Sequence, residues 1–149
     1  MTIEKLPFIA ATASPEETEA VGAGLANYFK SKRISEGFIA MRGNLGAGKT
    51  AFTRGFASVL CPKARVKSPT FAIVNVYRGE TVIHHMDTYR ITSDDDLYST
   101  GFYDMDEGFI ICEWSENIEY ALPAHRYEVS IEYADGENRR NITVKEIDK

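Results

Sequence analysis

Cysteine is scarce in this chain: Cys61 and Cys112 are the only two in 149 residues. Both lie inside apolar stretches and lack any zinc-type spacing. Two buried thiols in a reducing compartment fit that usage better than a disulfide framework. No apolar run approaches the ~18 residues that span a bilayer. The first residues, Met1-Thr-Ile-Glu-Lys-Leu-Pro7, offer neither a basic n-region nor an apolar h-region, so no signal peptide is visible and a cytoplasmic location is expected. There is no basic excess. The net charge of −5 argues against an autonomous nucleic-acid binder, which needs cations to displace counterions from phosphates. Internal repeats and low-complexity segments are also absent. What remains is 44% hydrophobic and 26% charged, a balance that excludes disorder, collagen and coiled coil. The length suits one domain over residues 1–149, able to bury roughly 68–70% of its unfolded surface without staples.

The net charge hides a segregation. Seven basic residues and no acidic one fall between Met41 and Gly79. Eleven acidic residues and one basic residue, Arg90, fall between Glu80 and Glu119. The first stretch is suited to an anion. The second is suited to a cation or a basic partner, or is simply a solvated face.

Ser14-Pro15-Glu16-Glu17 combines an N-cap, a proline for the first helical position and a glutamate three residues after the cap. A helix from about Pro15 to Ser31 follows, with Ala20, Ala23, Leu25, Ala26 and Phe29 as its expected buried face. Gly37 to Arg42 reads as a buried strand, then comes a glycine-rich loop, then a helix from about Lys49 to Leu60. Phe71 to Tyr77 and Thr81 to Met86 are strand-like runs around the hairpin signal Arg78-Gly79-Glu80. Ser93 can cap a short helix. Gly108 to Cys112 is a second short buried strand, ending at Glu113-Trp114. Arg126 to Tyr133 and Asn141 to Ile147 flank Asp135-Gly136-Glu137-Asn138, a C-terminal hairpin. The order predicts an α/β fold: a P-loop nucleotide-binding architecture with a mixed central sheet flanked by helices and carrying antiparallel hairpins.

Gly43-Asn-Leu-Gly-Ala-Gly48-Lys49-Thr50 matches G-x-x-x-x-G-K-[ST] completely. Glycines let the backbone curl so that N–H groups, from Leu45, Gly46, Ala47 and Gly48, point at one phosphate. The following helix adds its positive N-terminal end. Lys49 supplies a mobile charge for the β- and γ-phosphates, and Thr50 offers a hydroxyl to Mg²⁺. A strand before and a helix after give the motif the context it needs.

Such a loop also needs a carboxylate for the metal. Asp87 and Glu113 each end a strand, where the ligand crevice of an open α/β sheet lies. Spacing alone does not rank them. His84 and His85 point to opposite faces of a strand and so cannot share one metal. His85 is the one on Asp87's side, as a functional group or as a buried, hydrogen-bonded histidine. Asp94-Asp95-Asp96 fits a cation site less well than a helix N-terminus that favours acids. Lys67-Ser68-Pro69-Thr70-Phe71 is a rigid turn whose Thr70 either senses a γ-phosphate and metal or caps the turn.

Three segments together exceed a generic phosphate loop: Gly-Asn-Leu-Gly-Ala-Gly-Lys-Thr (43–50), Val-Lys-Ser-Pro-Thr-Phe (66–71) and His-Met-Asp-Thr-Tyr-Arg (85–90), joined by Glu113-Trp114. With these the sequence resembles the TsaE family of small ATPases in bacterial tRNA threonylcarbamoyladenosine synthesis, over nearly the whole chain. The resemblance implies binding of ATP and Mg²⁺ and slow ATP hydrolysis. It implies action with the TsaB–TsaD heterodimer, which modifies adenosine 37 of tRNAs reading ANN codons. It implies nothing about direct tRNA contact. Lys49 and Thr50 then hold phosphate and metal, and Glu113 matches the family's metal-associated glutamate. Asp87 matches the aspartate needed for ATPase activity, and Trp114 a tryptophan beside the site. Thr70 falls in a switch-like segment. One departure lies in the last hairpin. Family members often carry an arginine directly after its glycine, able to approach the nucleotide. Here Glu137 follows Gly136, and Arg139 and Arg140 come later.

Other readings of the phosphate loop are a small P-loop kinase, a GTPase and a nucleotide-gated binding module. A kinase lid needs arginines to exclude water, and the acidic stretch offers only Arg90. A guanine-specific Asn-Lys-x-Asp motif is missing, so ATP is the expected nucleotide.

Overall fold

A computed structural model of the chain describes residues 1–43, 48–69 and 74–149. Strand β1 (Phe8–Thr12) is followed by α1 (Pro15–Ser31), β2 (Gly37–Gly43), α2 (Lys49–Leu60), β3 (Val74–Tyr77) and β4 (Ile83–Asp87). Then come α3 (Asp94–Ser99), a 3-10 turn (Phe102–Asp104), β5 (Phe109–Glu113), a second 3-10 segment (Ser115–Ala121), β6 (His125–Tyr133) and β7 (Arg140–Asp148).

The capping signals act as the sequence suggests. Ser14 Oγ accepts from the Glu17 N–H at 3.1 Å, and Glu17 Oε1 accepts from the Ala13 N–H at 3.1 Å. Two otherwise orphaned donors are thereby satisfied. In α3, Ser93 Oγ accepts from the Asp96 N–H, and Asp96 accepts from both the N–H and hydroxyl of Thr92. Asp94-Asp95-Asp96 is thus the acidic first turn of a capped helix.

The seven strands form one sheet in the order β1-β7-β6-β2-β5-β4-β3. β2 runs parallel to β5 and β6, and β4 runs parallel to β5. The β3–β4 and β6–β7 pairs are the expected antiparallel hairpins. β1 pairs antiparallel with β7, an edge strand beyond those the sequence suggests.

Alternation along the central strands splits the core into two layers. Ile39, Met41, Ile83, Phe109 and Ile111 face α1 and α2, in a cluster with Phe29, Phe52 and Phe56. Phe38, Ala40, Met86 and Cys112 face the opposite side, under Leu97, Phe102 and Ile118. Both thiols are free and buried.

α1 buries Thr18, Val21, Gly22, Gly24, Leu25, Ala26 and Phe29. Ala20 and Ala23, expected on that face, are only half-buried. The reason is a close crossing of α1 and α2. A Cβ on Gly22 would lie 2.0 Å from the Phe52 carbonyl oxygen, and one on Gly55 would lie 1.8 Å from that of Glu19. The helix turns its glycine towards α2 because backbone meets backbone there.

Candidate functional site

The parallel strands β2, β4 and β5 end at one edge of the sheet, and their register is level. Ala40 lies opposite Cys112, Met86 opposite Cys112, and Asp87 opposite Glu113. The chain leaves β2 towards α2 on this edge, a reversal point of strand order where open α/β sheets place their ligands.

Lys49 opens α2 behind Gly48, whose φ of 104° is the left-handed backbone that glycine adopts without strain. Lys49 is 4% exposed, and its Nζ has no hydrogen-bond acceptor among the described residues. A buried ammonium lacking acceptors costs free energy, so its site is shaped for an anion. The ammonium instead lies 4.3 Å from the centroid of the Trp114 ring. Trp114 itself has φ 59° and packs on Tyr89 at 4.9 Å between ring centroids. Thr50, the next residue of α2, is half-buried. Leu45, Gly46, Ala47 and Thr70 lie outside the described residues.

Asp87 and Glu113 share the α2 side of the sheet with His85. Asp87 Oδ1 accepts from the Tyr89 N–H at 2.8 Å. Burial raises the Asp87 carboxyl above the usual carboxylate range. The Tyr89 bond opposes this, Glu113 adds to it, and Lys49 and His85 oppose it. Glu113 is buried, and its Oε2 lies 2.5 Å from His85 Nε2. His85 Nδ1 lies 3.0 Å from the Tyr77 hydroxyl. With both ring nitrogens engaged, His85 has no lone pair for a metal. The pair of strand histidines thus separates as alternation requires: His85 to the site, and His84 to the other face with its Nε2 unpartnered among the described residues.

Backbone anchors fix the two carboxylates. The Thr88 hydroxyl donates to the carbonyls of Glu113 at 3.0 Å and Trp114 at 2.6 Å. Asn117 Nδ2 donates to the Thr88 carbonyl at 3.0 Å, and Ser115 Oγ donates to the Met41 carbonyl at 3.1 Å. These ties hold the ends of β2, β4 and β5 together. Sequence reasoning missed Tyr77, Ser115 and Asn117, because each acts through strand adjacency that local patterns do not carry.

Two cations of the basic stretch are engaged elsewhere. Arg42 pairs with Glu119 and lies 3.5 Å from Glu128, and Arg54 lies 3.7 Å from Glu19. Lys49 is the cation held at the crevice. The side chains that the sequence offers to a metal, Thr50, Asp87 and Glu113, carry oxygen donors only. Such hard ligands, few in number, fit Mg²⁺, which keeps much of its own water. No group of three or more His, Cys, Asp or Glu side chains capable of caging a metal occurs among the described residues. Arg139 is exposed on the last hairpin, and Arg140 lies 4.5 Å over the Tyr133 ring.

A family model described as threonylcarbamoyl adenosine biosynthesis protein TsaE matches residues 12–142. The chain belongs to the TsaE family. It is 37% identical over 133 residues to the tRNA threonylcarbamoyladenosine biosynthesis protein TsaE of Bacillus subtilis, covering 89% of this chain and 81% of that protein. It is likewise 37% identical over 109 residues to the protein of the same name from Treponema pallidum, covering 71% of this chain and 79% of that one. The crystal structure of Bacillus subtilis YdiB superposes with a TM-score of 0.75 at 32% identity, over 99% of this chain and 89% of that one. The fold is therefore the P-loop fold of the TsaE family. No helix among the described residues is long and apolar enough to cross a membrane.

Proposed function

We propose that this chain takes part in tRNA threonylcarbamoyladenosine biosynthesis as a Mg²⁺-dependent ATP-binding protein with slow ATPase activity. It acts with the TsaB–TsaD heterodimer on adenosine 37 of tRNAs that read ANN codons. One observation carries the nucleotide part: the Lys49 ammonium is buried at the N-terminal end of α2 with no acceptor among the described residues. A phosphate chain supplies the missing acceptors, and the helix end supplies further positive potential. Family membership carries the assignment to tRNA modification.

In this reading Leu45, Gly46, Ala47 and Gly48 cradle phosphate with their N–H groups, and Lys49 neutralises it. Thr50 and Glu113 hold Mg²⁺, whose contribution is to offset charge on the β- and γ-phosphates. Asp87 arranges the reacting end of the nucleotide or its water. Burial holds its carboxyl above the usual carboxylate range, and the Tyr89 N–H fixes its orientation at the strand end.

ATP hydrolysis measured with the chain alone and with TsaB–TsaD tests this. Slow turnover alone, increased by the heterodimer and lost in Lys49→Ala, is expected. Transfer of phosphate to a small metabolite, or binding without any hydrolysis in either mixture, would replace this reading with a kinase or a binding module.

A further inference from the structure

Three buried polar side chains join the nucleotide edge to a segment on the other side of β4. Glu113 Oε2 meets His85 Nε2 at 2.5 Å, His85 Nδ1 meets the Tyr77 hydroxyl at 3.0 Å, and that hydroxyl contacts the backbone of Lys67. The Lys67 N–H donates to the hydroxyl at 3.3 Å, and the Lys67 carbonyl accepts from it at 3.2 Å. His85 is fully buried, and Tyr77 and Glu113 nearly so. Asn75 Nδ2 donates to the same carbonyl at 3.3 Å, so Lys67 is held from β3 at two points.

The chemistry of this chain is directional. A carboxylate only accepts, so the ring proton of a neutral His85 sits on Nε2. Nδ1 is then an acceptor, and the Tyr77 hydroxyl has one proton for two acceptors, Nδ1 and the Lys67 carbonyl. Whatever turns the Glu113 carboxylate changes the demand on the imidazole, and through it the demand on that proton. Buried networks of this kind are costly when one member loses its partner, so their members move together.

The outer end lies at a surface groove lined by Lys63, Arg65, Lys67, Tyr77 and Arg78. Pro69, two residues beyond Lys67, is buried and fixes the segment further.

We propose that Tyr77 and His85 are positioning residues that couple the 64–69 segment to the Glu113 carboxylate, so that the geometry of one sets that of the other. The proposal rests on the reading that Glu113 serves the metal. It adds that the segment leading to Thr70 is tied to that carboxylate from behind, through side chains that touch neither nucleotide nor ion.

The test has two arms. Hydrogen exchange at the Lys67 amide reads the tie without nucleotide or metal, with the Val129 amide of the central sheet reporting global opening. Tyr77→Phe, His85→Gln and Glu113→Ala should each speed Lys67 exchange about three- to tenfold relative to Val129, the scale of one hydrogen bond. The second arm measures half-saturating Mg²⁺ for nucleotide binding, by calorimetry. Tyr77→Phe, nearly isosteric and remote from the ligand, should raise it severalfold while leaving Mg²⁺-free nucleotide affinity unchanged.

Faster Lys67 exchange in Tyr77→Phe alone, with none in Glu113→Ala, would overturn the coupling and leave a local contact. An unchanged Mg²⁺ requirement in Tyr77→Phe would overturn it too, provided Glu113→Gln raises that requirement. If Glu113→Gln also leaves it unchanged, the metal role of Glu113 fails, and the exchange arm alone decides the tie.

Discussion

The Lys49 ammonium lies 4.3 Å from the centroid of the Trp114 ring, the chain's one tryptophan covering a buried cation at the crevice. A ring quadrupole attracts a desolvated cation by about 2 kcal/mol or more, much less than a phosphate offers it. Nucleotide should therefore draw Lys49 away from the indole.

Intrinsic fluorescence reads that exchange directly. Adding Mg²⁺·ATP or Mg²⁺·ADP should shift the Trp114 emission. Lys49→Ala should shift the nucleotide-free spectrum by itself and suppress the response at moderate nucleotide concentrations. A flat spectrum alongside calorimetric binding would separate Trp114 from the phosphate site.

Asp87 and Glu113 lie opposite each other on adjacent strands, yet their surroundings differ. Glu113 is buried against His85, while Asp87 is half-exposed on the Tyr89 N–H. Glu113→Gln should raise the Mg²⁺ concentration for half-maximal hydrolysis, and Thr50→Ala should do the same where Thr50→Ser does not. Asp87→Asn should lower the rate with little change in that concentration. Magnesium titrations giving the opposite assignment would exchange the two roles.

The raised pKa of Asp87 also carries a cost. A carboxyl that holds its proton more tightly in the folded state than in the unfolded one stabilises the fold below its unfolded pKa. That contribution is lost as pH rises through the folded value. The charged form is the penalised one, so at neutral pH Asp87→Asn should be more stable than the parent. The gap should close below about pH 4, where both side chains are neutral. Thermal unfolding of both proteins across pH 3–8 checks the sign, and a gap that widens on acidification would refute it.

Gly55 is set against the Glu19 carbonyl, and Gly22 against that of Phe52. An alanine gains about 1 kcal/mol in helix propensity over glycine. Here its Cβ would meet a backbone oxygen at 1.8 Å, and no side-chain rotation relieves that. Gly55→Ala should lose about 1–3 kcal/mol net, as overpacked interiors do. Urea unfolding measures it. A stabilised variant would mean that the helices slide apart freely.

The sequence made α1 and α2 legible to their end residues because their starts are written locally: Ser14-Pro15-Glu16-Glu17 for one, the phosphate loop for the other. Strand alternation likewise placed His85 with Asp87. What stayed hidden depends on partners distant in the chain. β1 has little turn punctuation of its own, and its pairing of Phe8 with Val144 spans almost the whole chain. Leu25, Ala26 and Phe29 lie on the buried face of α1 that periodicity predicts, but Ala20 and Ala23 do not, because the closest contact is made by a glycine. The bond of Glu113 to His85 requires β4 and β5 to be neighbours, which neither strand's own residues state.

The position of β2 in the sheet has a consequence for how the molecule is made. Met41 pairs with Val129, and Ile39 sits between Ile111 and Tyr127, so both neighbours of the phosphate-loop strand come from the last third of the chain. During synthesis β2 emerges long before the strands that flank it, and before Glu113 exists. Contacts this distant close slowly, since loop-closure entropy is spent before they form. On the proposed reading, nucleotide should stabilise the finished sheet and not the nascent one. A nascent chain halted before Glu113 should not be retained on an ATP resin, whereas the released full-length protein should be.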